Sequence, residues 1–352
     1  KAMMNEYQDH FIELSDMKQM TDVDKEILIR EIIESPKYKD LRPSGKPDAY
    51  LGGIISSISN SKRDAITPED VRKFANSEIE RITKDEDSIS TRGVTKGKLK
   101  AEAEERIEKC KKTLIFADVY EEYEIDKKRA RKLDFDDLII QLLVTLKSDD
   151  LFLRLLQERF LYILVDEHQD TNDAQNYIVS MLADFFETPN VFIVGDEKQA
   201  IYRFQGASVE NFLLLRKRWP DMKLISLESN YRSHQSILDS SFSVIERNYT
   251  EGEHGDLRVK LLSESNESER PIELVSVEDV RTMEDYLVDE LKRISKEEPE
   301  ANIAIITKRN KDLERVIKLL EFNSVPVSSE RSVDIFHHPI GVTFFDLTTY
   351  VH

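Results

Sequence analysis

The chain has 352 residues, enough for two or three domains that each bury a core, and 39% of them are hydrophobic against 34% charged. Its longest unbroken apolar run, Phe160 to Val165, is far too short to cross a bilayer, and the single cysteine, Cys110, excludes an internal disulfide and a cysteine-built zinc cluster. The net charge of −18 argues against a nucleic-acid partner for the chain as a whole, but residues 1–132 carry 27 Lys/Arg against 28 Asp/Glu and residues 133–352 carry 24 against 41, so a local basic path stays open.

From Asn5 to about Tyr123 the pattern is helical. Apolar residues recur at helical spacing in Ile27, Leu28, Ile32 and Ile33, and again in Ile54, Ile55 and Ile58. Thr67-Pro68-Glu69-Asp70 reads as a helix start, with Thr67 as cap, Pro68 in the first helical position and acids in the first turn. The polar stretch Asp85 to Thr91 reads as a loop. Gly97 to Lys132 reads as one long, partly exposed helix with Leu114, Ile115, Val119 and Tyr123 on its apolar side.

From Leu133 to about Asn248 strands alternate with helices. Phe160–Val165 and Val191–Val194 are short apolar runs ending in acids, as strands of a buried parallel sheet do. Tyr177, Ile178, Met181, Leu182, Phe185 and Phe186 mark a helix between them. Lys223–Ser226 is a weaker third strand, followed by a helix carrying Ile237, Leu238, Phe242 and Ile245. Arg247 to Arg270, which includes Ser263-Glu264-Ser265-Asn266, is polar and reads as a linker. Beyond it Ile272–Val275 and Ile303–Ile306 are expected strands, with helices near Val280–Ile294 and Leu313–Phe322. This is α/β architecture, in which ligands bind beyond the carboxyl ends of strands.

Three motifs carry chemistry. In Val165-Asp166-Glu167-His168-Gln169-Asp170-Thr171-Asn172, adjacent acids at the end of a buried strand are costly unless a cation meets them. A magnesium-bound nucleotide would do so, one carboxylate near the metal and the next toward a water molecule. Alternatively, Asp170 or Thr171 caps the next helix and the other acids are solvated. One strand later, in Val194-Gly195-Asp196-Glu197-Lys198-Gln199, Gln199 follows a strand end, placed to sense a phosphate. Tyr202, Arg203 and Phe204 then set aromatic faces beside a guanidinium, as single-strand binders do, or are ordinary core aromatics. In Glu228-Ser229-Asn230-Tyr231-Arg232-Ser233, Arg232 could clamp a terminal phosphate while Tyr231 stacks on a base, or Ser233 could cap a helix with Arg232 in a surface ion pair.

Taken in order, Asp-Glu-x-Gln-Asp-Thr, Gly-Asp-x-x-Gln-x-Ile-Tyr-x-Phe-x-Gly-Ala and Asn-Tyr-Arg-Ser resemble motifs II, III and IV of UvrD/Rep superfamily 1 helicases. Asp134-Phe135-Asp136-Asp137-Leu138 resembles the segment before motif II there. The resemblance implies an α/β fold: an incomplete RecA-like P-loop NTPase motor domain, an all-helical insertion and part of a second RecA-like domain. It sets residues 1–125 as a helical 1B-like domain, 126–250 as the later part of domain 1A, 251–270 as linker and 271–352 as the start of domain 2A. It further implies ATP and Mg2+ as cofactors, with Asp166 on the metal, Glu167 as general base, Gln199 and Arg232 on the γ-phosphate and Tyr231 on the adenine. Tyr202 and Phe204 would face single-stranded bases; Gln205 stands where many members have Arg, removing a positive charge from that path. His168 is given no role.

A phosphate-binding loop of the form Gly-x-x-x-x-Gly-Lys-[Ser/Thr] is missing, since neither Gly45-Lys46-Pro47 nor Gly97-Lys98-Leu99 continues into Ser or Thr. The arginine-bearing motif VI is missing as well. The expectation is a middle piece of an ATP-dependent DNA helicase or translocase, its 3′-to-5′ polarity implied by the resemblance alone, cytoplasmic and without membrane contact, inactive on its own. Its partners would be single-stranded and partly duplex DNA and nuclease or repair proteins, in DNA repair, replication or recombination. Two alternatives stay open: the motor subunit of a helicase–nuclease complex, and a non-catalytic DNA-binding or protein-docking module.

Overall fold

The helices of the N-terminal half begin where the sequence supplies side-chain caps. In the computed structural model, which describes residues 2–14, 16–90, 98–199, 215–247, 259–265 and 271–329, Thr67 and Asp70 form a reciprocal capping box at the start of α4 (Pro68–Lys84), with Pro68 in its first turn. Thr21 and Asp24 do the same for α2 (Asp22–Ile33). Each box satisfies two backbone N–H groups that a helix start otherwise leaves unpaired. α1 (Ala2–Glu6), α3 (Leu51–Arg63) and α5 (Ala101–Arg129) are the other α-helices described before Lys132. α5 carries Glu102 and Glu104 in its first turn and Lys127, Lys128 and Arg129 in its last, the charge order a helix dipole favours. The expected loop that starts at Asp85 holds a short 3-10 turn, Glu86–Ser88.

The described residues fall into two units: residues 1–229 with 241–261, and residues 230–240 with 262 onward. The first has two apolar cores. One gathers Ile29, Ile32 and Ile33 of α2, Leu51, Ile54 and Ile58 of α3, and Val119, Tyr120 and Tyr123 of α5 around Tyr38 and Met20. The other joins Met4 and Phe11 to Leu146 of α6 (Asp137–Ser148) and to Phe152 and Leu156 of α7 (Asp150–Arg159). Residues from the first dozen positions thus pack with helices that follow Leu133, rather than with the helical stretch they belong to in sequence. A parallel pair, β1 (Lys18–Gln19) with β2 (Lys132–Leu133), lies beside this junction.

β3 (Ile163–Val165) pairs in parallel with β4 (Val191–Ile193), with α8 (Asp173–Ala183) as the connection between them. The expected strands are therefore present but shorter. The expectation that they are buried fails: Leu164 is 75% exposed and Phe192, its register partner, 59%. The third expected strand, Lys223–Ser226, has no ladder partner among the described residues, and Ile225 stands in solvent. A strand assignment needs a neighbour as well as an apolar run.

In the second unit Val288 and Leu291 of the helix Val280–Glu297 pack on Val316 and Leu320 of the helix Asn310–Phe322. The expected strands Ile272–Val275 and Ile303–Ile306 also lack ladder partners among the described residues. Ile305 packs against the helix pair while Ile306 is 93% exposed, the alternation of an extended segment with one covered face. Part of the expected linker is ordered: Leu262–Ser263 pairs with Ser229–Asn230. The described structure is mostly helical, and no described helix is long and apolar enough to cross a membrane.

Candidate active site

β3 ends at Val165, and the chain turns sharply there. Glu167 has φ 47° and ψ 44°, the left-handed region that costs a residue with a Cβ about 1–2 kcal/mol. Its neighbours hold it there. The Glu167 N–H donates to Asp166 Oδ1 at 2.9 Å, and the Gln169 amide Nε2 donates to Glu167 Oε2 at 2.5 Å. The His168 N–H donates to the Val194 carbonyl at 3.0 Å, extending the β3–β4 pairing past the strand ends. Ala65, Arg131 and Ser324 share this backbone region, so the hydrogen bonds around Glu167, and not its conformation alone, set this turn apart. Asp166 and Glu167 themselves are exposed while His168 and Gln169 are buried. The burial cost that suggests a cationic partner for the two acids therefore does not apply; their position at the strand end does.

The second motif meets the first through one side chain. Gln169 Oε1 accepts from the Asp196 N–H at 2.9 Å, and Asp196 Oδ2 accepts from Gln199 Nε2 at 2.7 Å. Gln169 thus connects Glu167 to Asp196, and Asp196 connects to Gln199. Gly195 makes this approach possible, because a Cβ there would fall 2.8 Å from Gln169 Oε1 and 3.3 Å from His168 Cβ. Three residues singled out in the sequence, Asp166, Glu167 and Gln199, are brought into one hydrogen-bonded group.

His168 has a structural place. Its Nε2 lies 3.0 Å from Asn176 Oδ1 on α8, and burial pushes its pKa down, outweighing the opposing effect of that hydrogen bond. The helix cap expected of Asp170 or Thr171 belongs to Asn172, which forms a capping box with Gln175. Thr171 instead donates through Oγ1 to the His168 carbonyl at 2.6 Å.

Tyr231 and Arg232 lie in the second unit. Asn230 Oδ1 accepts from the N–H groups of Arg232 at 3.0 Å and Ser233 at 2.8 Å, a turn that leaves the Tyr231 and Arg232 side chains exposed. The helix after this turn begins at Gln235, so Ser233 is not immediately before it. Tyr202, Phe204 and Gln205 lie outside the described residues.

Residues 2–220 match the UvrD/Rep helicase N-terminal domain, and residues 225–339 the UvrD-like helicase C-terminal domain. The chain belongs to the UvrD/Rep helicase family. Over 236 residues it is 31% identical to an ATP-dependent DNA helicase PcrA of Leuconostoc citreum, covering 65% of this chain and 27% of that protein. It is 37% identical over 162 residues to an ATP-dependent DNA helicase Rep of Buchnera aphidicola subsp. Acyrthosiphon pisum, 44% of this chain and 25% of that one. With the PcrA of Bacillus subtilis it shares 41% over 134 residues, 38% and 18% of the two chains. The chain therefore spans about a quarter or less of the length of these curated relatives. Membership in the UvrD/Rep family implies a RecA-like superfamily 1 fold.

Two features of the structure escape a reading of the residues alone. Gln169 stands in the motif Asp-Glu-x-Gln-Asp-Thr, but its partner is hidden there, because the bond to Asp196 spans 27 positions. The second is a buried ionic cluster beside α6. Asp134 and Asp137 cap each other's backbone N–H groups at 2.7 and 2.9 Å. Lys62 from α3 and Lys127 from α5 converge on them together with Glu124, and the Tyr123 hydroxyl donates to Asp134 Oδ2 at 3.0 Å. Glu124, Asp134 and Asp137 are close enough together to suit a cation, but the two ammonium groups already fill that role. Helical spacing contained the clue: Ile54, Ile58 and Lys62 fall at i, i+4 and i+8, on one face.

Proposed function

We propose that the chain is the middle segment of an ATP-dependent DNA helicase of the PcrA/Rep type, moving 3′ to 5′ along single-stranded DNA and serving DNA repair, replication or recombination in the cytoplasm. The observation that carries the hydrolytic part of this reading is the hydrogen-bonded path from Glu167 at the β3 end, through Gln169 and Asp196, to Gln199; polarity and cellular role rest on the family alone. Of the bounds expected from the sequence, 1–125 would be the helical insertion 1B apart from the first dozen residues, which pack on α6 and α7; 126–250 would be the later part of motor domain 1A apart from 230–240, which group with the second unit; 251–270 would be a linker and 271–352 the start of domain 2A.

Asp166 offers hard carboxylate oxygens at a strand end, a donor type that suits Mg2+. When bound, the metal would neutralise charge on the ATP phosphates. Glu167 would accept the proton of the attacking water, its side chain oriented by Gln169. Gln199 and Arg232 would contact the γ-phosphate, and Tyr231, exposed as it is, would stack on the adenine. Tyr202 and Phe204 would stack on bases of the tracking strand. The segment alone would not turn over ATP, since it has no Gly-Lys-Thr/Ser loop to hold the phosphates.

The test is strand separation by the full-length protein with ATP and Mg2+. A partial duplex with a 3′ single-stranded tail should be unwound, and one with a 5′ tail should not. Unwinding of neither substrate, with single-strand binding intact, would favour a docking module over a motor.

A further inference from the structure

We infer that Gln169 is a positioning residue that links Gln199 to Glu167, so that events on the β4 side of the site set the orientation of the group that accepts the water proton. The inference rests on the reading of Glu167 as general base. It starts from a chemical constraint at a buried amide. One Gln169 partner, the Asp196 N–H, can only donate; the other, the Glu167 carboxylate, accepts. A primary amide serves both at once, and these partners fix which end of it is oxygen.

No close substitute keeps both bonds. Glu in its place could accept from Asp196 but would turn a like charge toward Glu167. Leu could do neither, and Asn is one methylene too short. Gly195 constrains the same amide from the other side, because a Cβ there would come within 2.8 Å of Gln169 Oε1. At Asp196 the path passes from the backbone N–H to the side chain, whose Oδ2 accepts from the Gln199 amide.

The consequence is directional. Gln199 is proposed to sense the γ-phosphate, and in sequence it precedes the proposed base-stacking residues Tyr202 and Phe204 by three and five positions. A shift of Gln199 would pass through Asp196 to Gln169, and so to a carboxylate whose backbone is already held in a strained turn. Gln169 would then carry part of the DNA stimulation of hydrolysis without touching nucleotide or DNA.

The experiment uses the full-length helicase with Gln169→Leu, Gln169→Glu, Gly195→Ala and, as reference, Glu167→Gln. Phosphate release is measured against ATP concentration, with and without saturating single-stranded DNA, and thermal melting checks folding. The first three variants should lose roughly 10–100-fold in DNA-stimulated kcat, the usual effect of disturbing a supporting side chain. Their KM for ATP should stay within about twofold and their melting close to wild type. If Gln169→Leu and Gly195→Ala keep wild-type kcat and stimulation while Glu167→Gln is inactive, the positioning role is wrong and the Glu167 assignment stands. If Glu167→Gln itself remains active, the underlying reading fails first. Losses in kcat that track a lowered melting temperature would also overturn the inference, because they would show only a structural role.

Discussion

Lys62 Nζ lies 2.5 Å from Asp134 Oδ2, with both side chains only 2% exposed. The pair joins α3 of the helical region to the turn that starts α6. It belongs to a group of two lysines, Lys62 and Lys127, and three acids, Glu124, Asp134 and Asp137. Two positive and three negative charges nearly cancel. Burying such charges is costly, and the mutual bonds, the Tyr123 hydroxyl and the reciprocal backbone caps of Asp134 and Asp137 offset that cost. The cluster fixes the register between α3, α5 and α6.

Removing one cation from this group should be far more damaging than removing an exposed ion pair. Lys62→Met leaves Asp134 and Asp137 short of a partner and should cost about 3–5 kcal/mol, whereas exposed pairs are worth about 0–1 kcal/mol. Arg81→Ala, which breaks an exposed pair with Glu78, is the comparison. Urea denaturation followed by circular dichroism measures both. Equal small losses would show that the cluster does not hold the helices together.

The same cluster gives an acid dependence with a defined sign. Burial alone would raise the Asp134 pKa, but Lys62 and Lys127 outweigh it and hold this carboxyl well below the usual range. A group depressed in the folded state adds stability above its unfolded value, about 3.9, and that stability is lost as pH falls below it. Urea midpoints should therefore drop between about pH 4 and pH 2, and Asp134→Asn should flatten that drop. A slope unchanged in the variant would remove Asp134 from the cause.

Phe204→Ala in the full-length protein should weaken single-strand binding by roughly 1–3 kcal/mol and uncouple ATP turnover from unwinding. Fluorescence anisotropy with a labelled oligonucleotide reads the first, and a strand-displacement assay the second. Unchanged affinity and unwinding would make Phe204 a packing residue.

Local rules were legible in the sequence and nonlocal ones were not. Thr67, Pro68 and Asp70 announce the start of α4 because a cap involves residues three apart. The β3 and β4 runs were visible, yet Ile272–Val275 and Ile303–Ile306 look the same as a string and find no ladder partner among the described residues. Pairing depends on what lies beside a segment, which an apolar run does not encode. The acids at 166 and 167 were found by position, although the exposure of both contradicts the burial argument that points to them. The contacts of Lys62 and Gln169 are hidden in the sequence for one reason. Their partners lie 72 and 27 positions away, Asp134 for the lysine and Asp196 for the glutamine.

The role of the β3 end is tested most directly by single-turnover and steady-state phosphate release from full-length Glu167→Gln, with nucleotide binding measured on the same protein. The amide keeps the shape of the side chain and cannot take a proton from water, so turnover should fall by about 10²-fold or more while ATP affinity stays near wild type. Near-normal turnover in that variant would contradict the assignment of Glu167, and with it the hydrolytic role given to the turn after β3.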